Sequence, residues 1–225
     1  MPAYRNGPVS SNVRPQKRAA PLNQKFLQMK TPFRHQASEY DCVPTTALNA
    51  LSYLYERNEI PPLAIQRIFM YCLDSVSTRQ GVGHGTSSYA VQLFGNWLNS
   101  FKLKLFSNEA TYICGSEVHL AQNNRISRGL NSGGVALLNV TTQTTFTHYI
   151  LGLSVQDSWI YAFDPYPKTS RANQPGKYEY LLPEHGQAAN IRIDRNWMDT
   201  LSNKGSFRFG IGSEREALLI RRTEA

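Results

Sequence analysis

A cysteine at position 42 stands six residues after Gln36 and directly after Asp41, at the head of a helix-favouring stretch, CVPTTALNALSYLYER. Far along the chain, His148 opens an apolar run, THYILGLSV, and Asp164 closes the next, SWIYAFDP. These four side chains supply the parts of a thiol chemistry. A thiol attacks as thiolate, a form held by a helix N-terminus and an adjacent imidazole. The imidazole needs a polar group to fix its tautomer, a role open to Asp164. A glutamine can donate a side-chain N–H to an oxyanion, beside the cysteine's own backbone N–H.

Each residue alone has an ordinary explanation. A free cysteine among apolar residues is usually a small core residue, and an aspartate before proline is usually a turn former. The combination is what carries weight. Gln156-Asp157 is the expected hairpin turn, and His148 and Asp164 are expected to face one another across its open end. The imidazole Nδ1–H then reaches the carboxylate and leaves Nε2 for the thiol. Asp41 is read as a helix N-cap rather than a chemical group. Cys72, read as mid-helix, and Cys114 have no such setting and read as core, with one disulfide between them as the alternative. The odd count of three cysteines, without CxxC or Cys/His spacing, argues against a disulfide framework and against a zinc site.

The elements that must position these residues follow from periodicity. A helix is expected from about Cys42 to Arg57, with Ala47, Leu48, Leu51, Leu54 and Tyr55 on its buried face. Pro61-Pro62 precedes a second helix, Leu63 to about Ser75. Thr86 or Ser87 caps a third, after the glycine-rich loop GVGHGT, which lacks the lysine and strand of a phosphate loop; its His84 is a candidate for touching substrate. KLKLF reads as a short strand and Glu117 to Gly129 as a polar helix. After Gly133-Gly134 come three strands, VALLNVTT, THYILGLSV and SWIYAFDP. Tyr178–Leu182, NIRID, FRFGI and EALLIRR are further strand candidates, with a helical turn from Arg195 to Leu201. Helices first and an antiparallel sheet after them make an α+β fold of two packed layers. His35 reads as exposed and incidental, and Trp159, Tyr161 and Tyr166 as core or cleft wall.

The 225 residues suffice for one domain with a buried core, and 41% hydrophobic against 18% charged residues is an ordinary globular balance. The net charge of +8 is a property of one end. Residues 1–34 hold seven basic side chains and no acid, leaving 17 basic against 16 acidic residues in the remainder. Residues 1–24 are therefore expected to be a basic, disordered tail that could meet an acidic partner, and 25–225 the folded domain. Phe26, Leu27, Met29 and Phe33 are expected to pack onto that domain. Nucleic acid is not expected as a partner. No apolar run approaches the roughly 20 residues of a membrane span, and no signal peptide is evident. A cytoplasmic location is expected, with non-classical secretion or effector delivery as the alternative.

The segment QASEYDCVPTTALNAL resembles the active-site opening of the peptidase C39-like family, papain-like cysteine peptidases that include bacteriocin-transporter processing domains. Gln36, Asp41-Cys42, His148-Tyr149 and Asp164-Pro165 match that family's signatures, and Gly133-Gly134 resembles its glycine turn. The resemblance spans about residues 30–167; where the family has glycine after Asp-Cys, this chain has Val43. It implies a papain-like cysteine protease fold, with N-terminal helices packed on an antiparallel β-sheet. It also implies Cys42 as nucleophile, His148 as general base and then acid, Asp164 as its orienter and Gln36 in the oxyanion hole. No cofactor or metal is implied. The expected reaction is cleavage of a peptide or isopeptide bond in a peptide or protein substrate, through a thioester. The same residues could serve a thiol acyltransferase, transglutaminase or deamidase, and a silent peptide-binding module is a further alternative.

Overall fold

The computed structural model describes residues 33–77, 81–82, 85–143, 147–167, 172–182 and 188–224. The expectations for residues 1–24, for Phe26, Leu27 and Met29, and for His84 lie outside them.

Helix α1 (Cys42–Leu54) buries Ala47, Ala50, Leu51 and Leu54, a stripe at helical spacing. It stops short of Arg57 because Tyr55 turns into extended backbone. There its hydroxyl donates to Ser107 O at 2.6 Å, and its ring stacks on Phe106 at 4.7 Å. Helix α2 (Pro62–Tyr71) also ends early, since Leu73 adopts φ +70° and donates its N–H to Thr86 Oγ1. A short hairpin of β1 (Val76–Ser77) and β2 (Gly81–Val82) follows. Ser87 caps α3 (Ser88–Ser100), accepting from Ala90 N.

KLKLF is not a strand. Leu103 and Phe106 exchange two backbone bonds in a tight turn, and the strand is the next segment, β3 (Asn108–Cys114). The expected polar helix is a 3₁₀ turn at Gly115–Glu117 and then α4 (Arg125–Asn131), capped by Asn124. Strands β4 (Val135–Thr141), β5 (Thr147–Gln156) and β6 (Trp159–Phe163) match the three apolar runs. Next come β7 (Tyr178–Tyr180), β8 (Ile191–Asp194), the short helix α5 (Arg195–Asp199) and β9 (Glu216–Arg222). FRFGI forms no strand; Phe207, at φ +65°, and Arg208 bond individually to the end of β4.

The main sheet is antiparallel, with strand order β3-β9-β4-β5-β6-β8-β7. Both of its faces are covered, so the α+β body has three layers where two were expected. Leu51, Val91, Phe94 and Leu98 from α1 and α3 meet Leu137, Leu151 and Leu218 on one face. Ile126, Leu130 and Met198 meet Leu138, Ile150, Ile160 and Leu219 on the other. This double cover explains why VALLNV is a continuous buried run without alternation.

Two glycines let helices reach β9 from opposite sides. A Cβ at Gly95 of α3 would lie 2.7 Å from Leu218 Cδ1, and one at Gly129 of α4 would lie 2.6 Å from both Cδ atoms of Leu219. One Leu218 methyl can rotate aside, but Leu219 is met at both methyls and again at Cγ, 3.1 Å away. Gly129→Ala is therefore expected to cost about 2–3 kcal/mol and Gly95→Ala about 1 kcal/mol. Thermal melts of the two variants would rank them in that order.

Candidate active site

The segment ahead of α1 is tied down by side chains from distant elements. Asn49, buried on α1, accepts from Arg34 N and donates to Arg34 O, both at 2.9 Å. Phe33 packs edge-on against Phe163 at 5.0 Å, consistent with its expected place on the body. The next two residues reach the segment that follows β6: His35 Nδ1 donates to Pro165 O at 3.0 Å and Gln36 N to the same oxygen at 2.9 Å. His35 is exposed but not incidental. Gln36 is buried, and its Nε2 donates to Ser38 O at 2.7 Å. One of its two side-chain hydrogens is engaged there.

Asp41 occupies the N-cap position, yet its carboxylate caps no helix amide. It accepts instead from Ala37 N, Ser38 N, Ser38 Oγ and Thr45 Oγ1, at 2.7–3.2 Å. Burial raises its pKa, but these bonds outweigh it, and the net direction is downward. The loop 37–41 is thus folded around one carboxylate. Without a side-chain cap, the first amides of α1, Cys42's among them, are left to a ligand or to water. Val43 is 1% exposed and faces the core, so it packs the helix and does not line the cleft.

His148 and Asp164 meet, though by a different geometry from the one expected. The turn of the β5–β6 hairpin is Asp157-Ser158, since Gln156 pairs with Trp159 and Asp157 takes φ +52°. The register then shifts between Gly152 and Ser154, and the last pair is Leu151 with Phe163. Continued one step, this register sets Asp164 opposite Ile150, so His148 lies diagonally along the strand. The diagonal is closed by His148 Nε2, 2.7 Å from Asp164 Oδ1. It is Nε2 that faces the carboxylate, so the other ring nitrogen, Nδ1, is left for the thiol; the ring is turned over relative to the expectation. Both residues are buried, at 9% and 1% exposure.

Three contacts that the sequence reading missed hold Asp164. Asn190 accepts from its N–H at 2.7 Å and donates to its carbonyl at 2.8 Å, replacing the strand pairing that has run out. Tyr166 N donates to Oδ1 at 3.0 Å. The Tyr166 ring stands edge-on to His148, centroids 6.3 Å apart, and its hydroxyl donates to Glu39 at 3.0 Å. Tyr166 thus stands beside the imidazole and not in either core. Trp159 lies at the hairpin turn, under the Arg192 guanidinium. Asparagine clamps between distant segments leave no spacing in a sequence; the Asp-Pro-Tyr run was the one available signal.

The thiol and the imidazole interact. Burial lowers the His148 pKa, but hydrogen bonds to Asp164 and to Cys42, with the charges of both, lift it from 6.5 to about 9. Cys72 caps the end of α2 in the core, where burial first, then Asp74 and Cys42, push its thiol up to about 12. Cys114 is exposed at the end of β3 and not in the core. All three cysteines are free, which removes the Cys72–Cys114 disulfide alternative from this structure.

Among the described residues no group of three or more His, Cys, Asp or Glu side chains is placed to hold a metal ion. No described helix is long and apolar enough to cross a membrane. No protein-family model matches the chain, and no curated protein matches it. Among solved structures the chain is similar to a double glycine motif protease from an AMS/PCAT transporter, determined in complex with the leader peptide. The two are 12% identical over 87% of this chain and 94% of that one, with a TM-score of 0.40. At that level the likeness assigns neither a family nor an activity.

A raised folded-state pKa stabilises the protein while the group is protonated. The His148 contribution is complete below about pH 6.5, its unfolded value, and is lost as pH rises through about 9. It amounts to at most about 3 kcal/mol. Denaturant melts from pH 6 to 10 should lose stability across that window in the wild type. The loss should be much smaller in Asp164→Asn, which removes the main partner of the imidazolium.

Proposed function

We propose that the protein is a cysteine peptidase of papain-like arrangement, cleaving a peptide or isopeptide bond in a protein or peptide substrate. The observation that carries this reading is that one buried imidazole is bound to Asp164 at 2.7 Å and interacts with the Cys42 thiol. Asp164 and Cys42 raise the His148 pKa, and the thiol stands on the first residue of α1, where the positive end of a helix favours a thiolate.

Cys42 Sγ attacks the scissile carbonyl carbon, and the negative charge moves to the carbonyl oxygen. The uncapped N–H of Cys42 and the second hydrogen of Gln36 Nε2 are the donors for that oxyanion. As the intermediate collapses, imidazolium gives its proton to the leaving amine and a thioester remains. His148 then takes a proton from water, hydroxide adds to the thioester, and the thiol is released. Asp164, held by Asn190 and Tyr166, keeps the ring oriented throughout.

The test is the pH dependence of iodoacetamide labelling at each cysteine, in wild type and His148→Ala. Cys42 should label quickly well below pH 8 and lose that reactivity without His148. Labelling of Cys42 no faster than that of exposed Cys114 would sink the reading. With a cleavable peptide in hand, Cys42→Ala should abolish turnover, and Gln36→Ala should lower it on the order of 10²–10³-fold. Transfer of the acyl group to an added amine in preference to water would favour the acyltransferase reading of the same site.

A further inference from the structure

His148 sits where its strand is supported on one side only. The ladder from β5 to β4 runs from Thr147 to Gly152, but pairing with β6 begins at Leu151. The residue beside the imidazole, Tyr149, is tethered in another way. Its carbonyl accepts from Thr46 Oγ1 at 3.1 Å, on α1 and four residues beyond Cys42. Its hydroxyl donates to Glu216 Oε1 on β9.

Glu216 is 6% exposed, and no Lys or Arg among the described residues bridges it. Its carboxylate is instead gathered by neutral donors. Oε1 also accepts from Asn139 Nδ2 at 3.0 Å, and Oε2 accepts from the Tyr112 hydroxyl at 2.7 Å. Burial, then the Glu216 charge and hydrogen bond, hold the Tyr149 phenol well above its ordinary pKa, so it stays a donor. A carboxylate buried without a cation costs stability that an apolar side chain would not. What this one accomplishes is to fix the Tyr149 side chain, while Thr46 holds its carbonyl.

We propose that Glu216 is a positioning residue: through Tyr149, and together with Thr46, it sets where β5 presents His148 to Cys42. The proposal rests on the thiolate–imidazole reading of the site. Helix α1 carries the nucleophile and β5 the base, and Tyr149, next to His148, is bound to both α1 and β9. Loss of the Glu216 tether leaves the half-paired strand end free to shift, and the imidazole with it.

Tyr149→Phe and Glu216→Leu each remove the tether, whereas Glu216→Gln keeps an acceptor of the same shape. The readouts are the pH midpoint of Cys42 alkylation in the full chain and the melting temperature. Tyr149→Phe should move the midpoint up by about one pH unit, slowing alkylation roughly tenfold at pH values below the wild-type midpoint. Glu216→Leu should match it, the double variant should be no worse, and Glu216→Gln should stay within about threefold of wild type. If Glu216→Leu does not fold, Tyr149→Phe carries the test, because it leaves Glu216 bound to Asn139 and Tyr112. Lower melting temperatures with an unmoved midpoint would overturn the positioning role and leave the site reading standing. A wild type without acid-shifted alkylation at Cys42 would overturn both.

Discussion

The contact between His148 Nε2 and Asp164 Oδ1 sets the demands that the surrounding structure meets. It joins two residues on neighbouring strands at 2.7 Å, away from water, where a charge-assisted bond is strong and a missing partner is costly. Such a pair tolerates little displacement, yet both residues lie beyond the last hydrogen-bonded pair of β5 and β6. Main-chain pairing alone cannot hold them. The register shift between Gly152 and Ser154 brings the two side chains onto one diagonal, and Asn190 then imitates a strand neighbour for Asp164.

The same solution recurs around the thiol. Asn49 fixes the entry to loop 33–41, Asp41 folds that loop about its carboxylate, and Pro165 O receives both His35 and Gln36. Each tether joins the loop ahead of Cys42 either to its own helix or to the segment that carries Asp164. A short polar side chain loses little rotamer entropy when it bonds backbone in this way, so precision is gained at modest cost. The candidate site is consequently built from the ends of elements, while their middles form two cores of ordinary apolar packing.

What could be read from the sequence divides along that line. Cys42, His148 and Asp164 were legible because chemistry restricts their types and because strand periodicity brought the last two together. Helices α1 and α3 and strands β4 to β6 declared themselves by spacing and by branched residues. Strand β3 did not, because NEATYIC buries only Asn108, Ala110 and Ile113 and carries too few apolar residues to read as a strand. A turn at Gln156-Asp157 would itself set Asp164 opposite Tyr149 and not His148; the turn lies one residue later, and the register shift, which composition does not show, sets Asp164 opposite Ile150. Which ring nitrogen meets the carboxylate depends on that diagonal, and so it was misassigned. Asn49 and Asn190 act on backbone groups 15 and 26 residues away, a relation that no local pattern records.

Strand β9 lies between β3 and β4 although it is the last element of the sheet in chain order. Leu218 and Leu219 fill the spaces left by Gly95 and Gly129, so helices on both faces close upon it. Until residues 216–222 arrive, β3 has no neighbour and β4 has an open edge. Strand β9 therefore joins β3 to the rest of the sheet by pairing of high sequence separation, which is a slow kind of folding. During synthesis, Cys42 and its helix emerge well before the strand that joins β3 to the rest of the sheet.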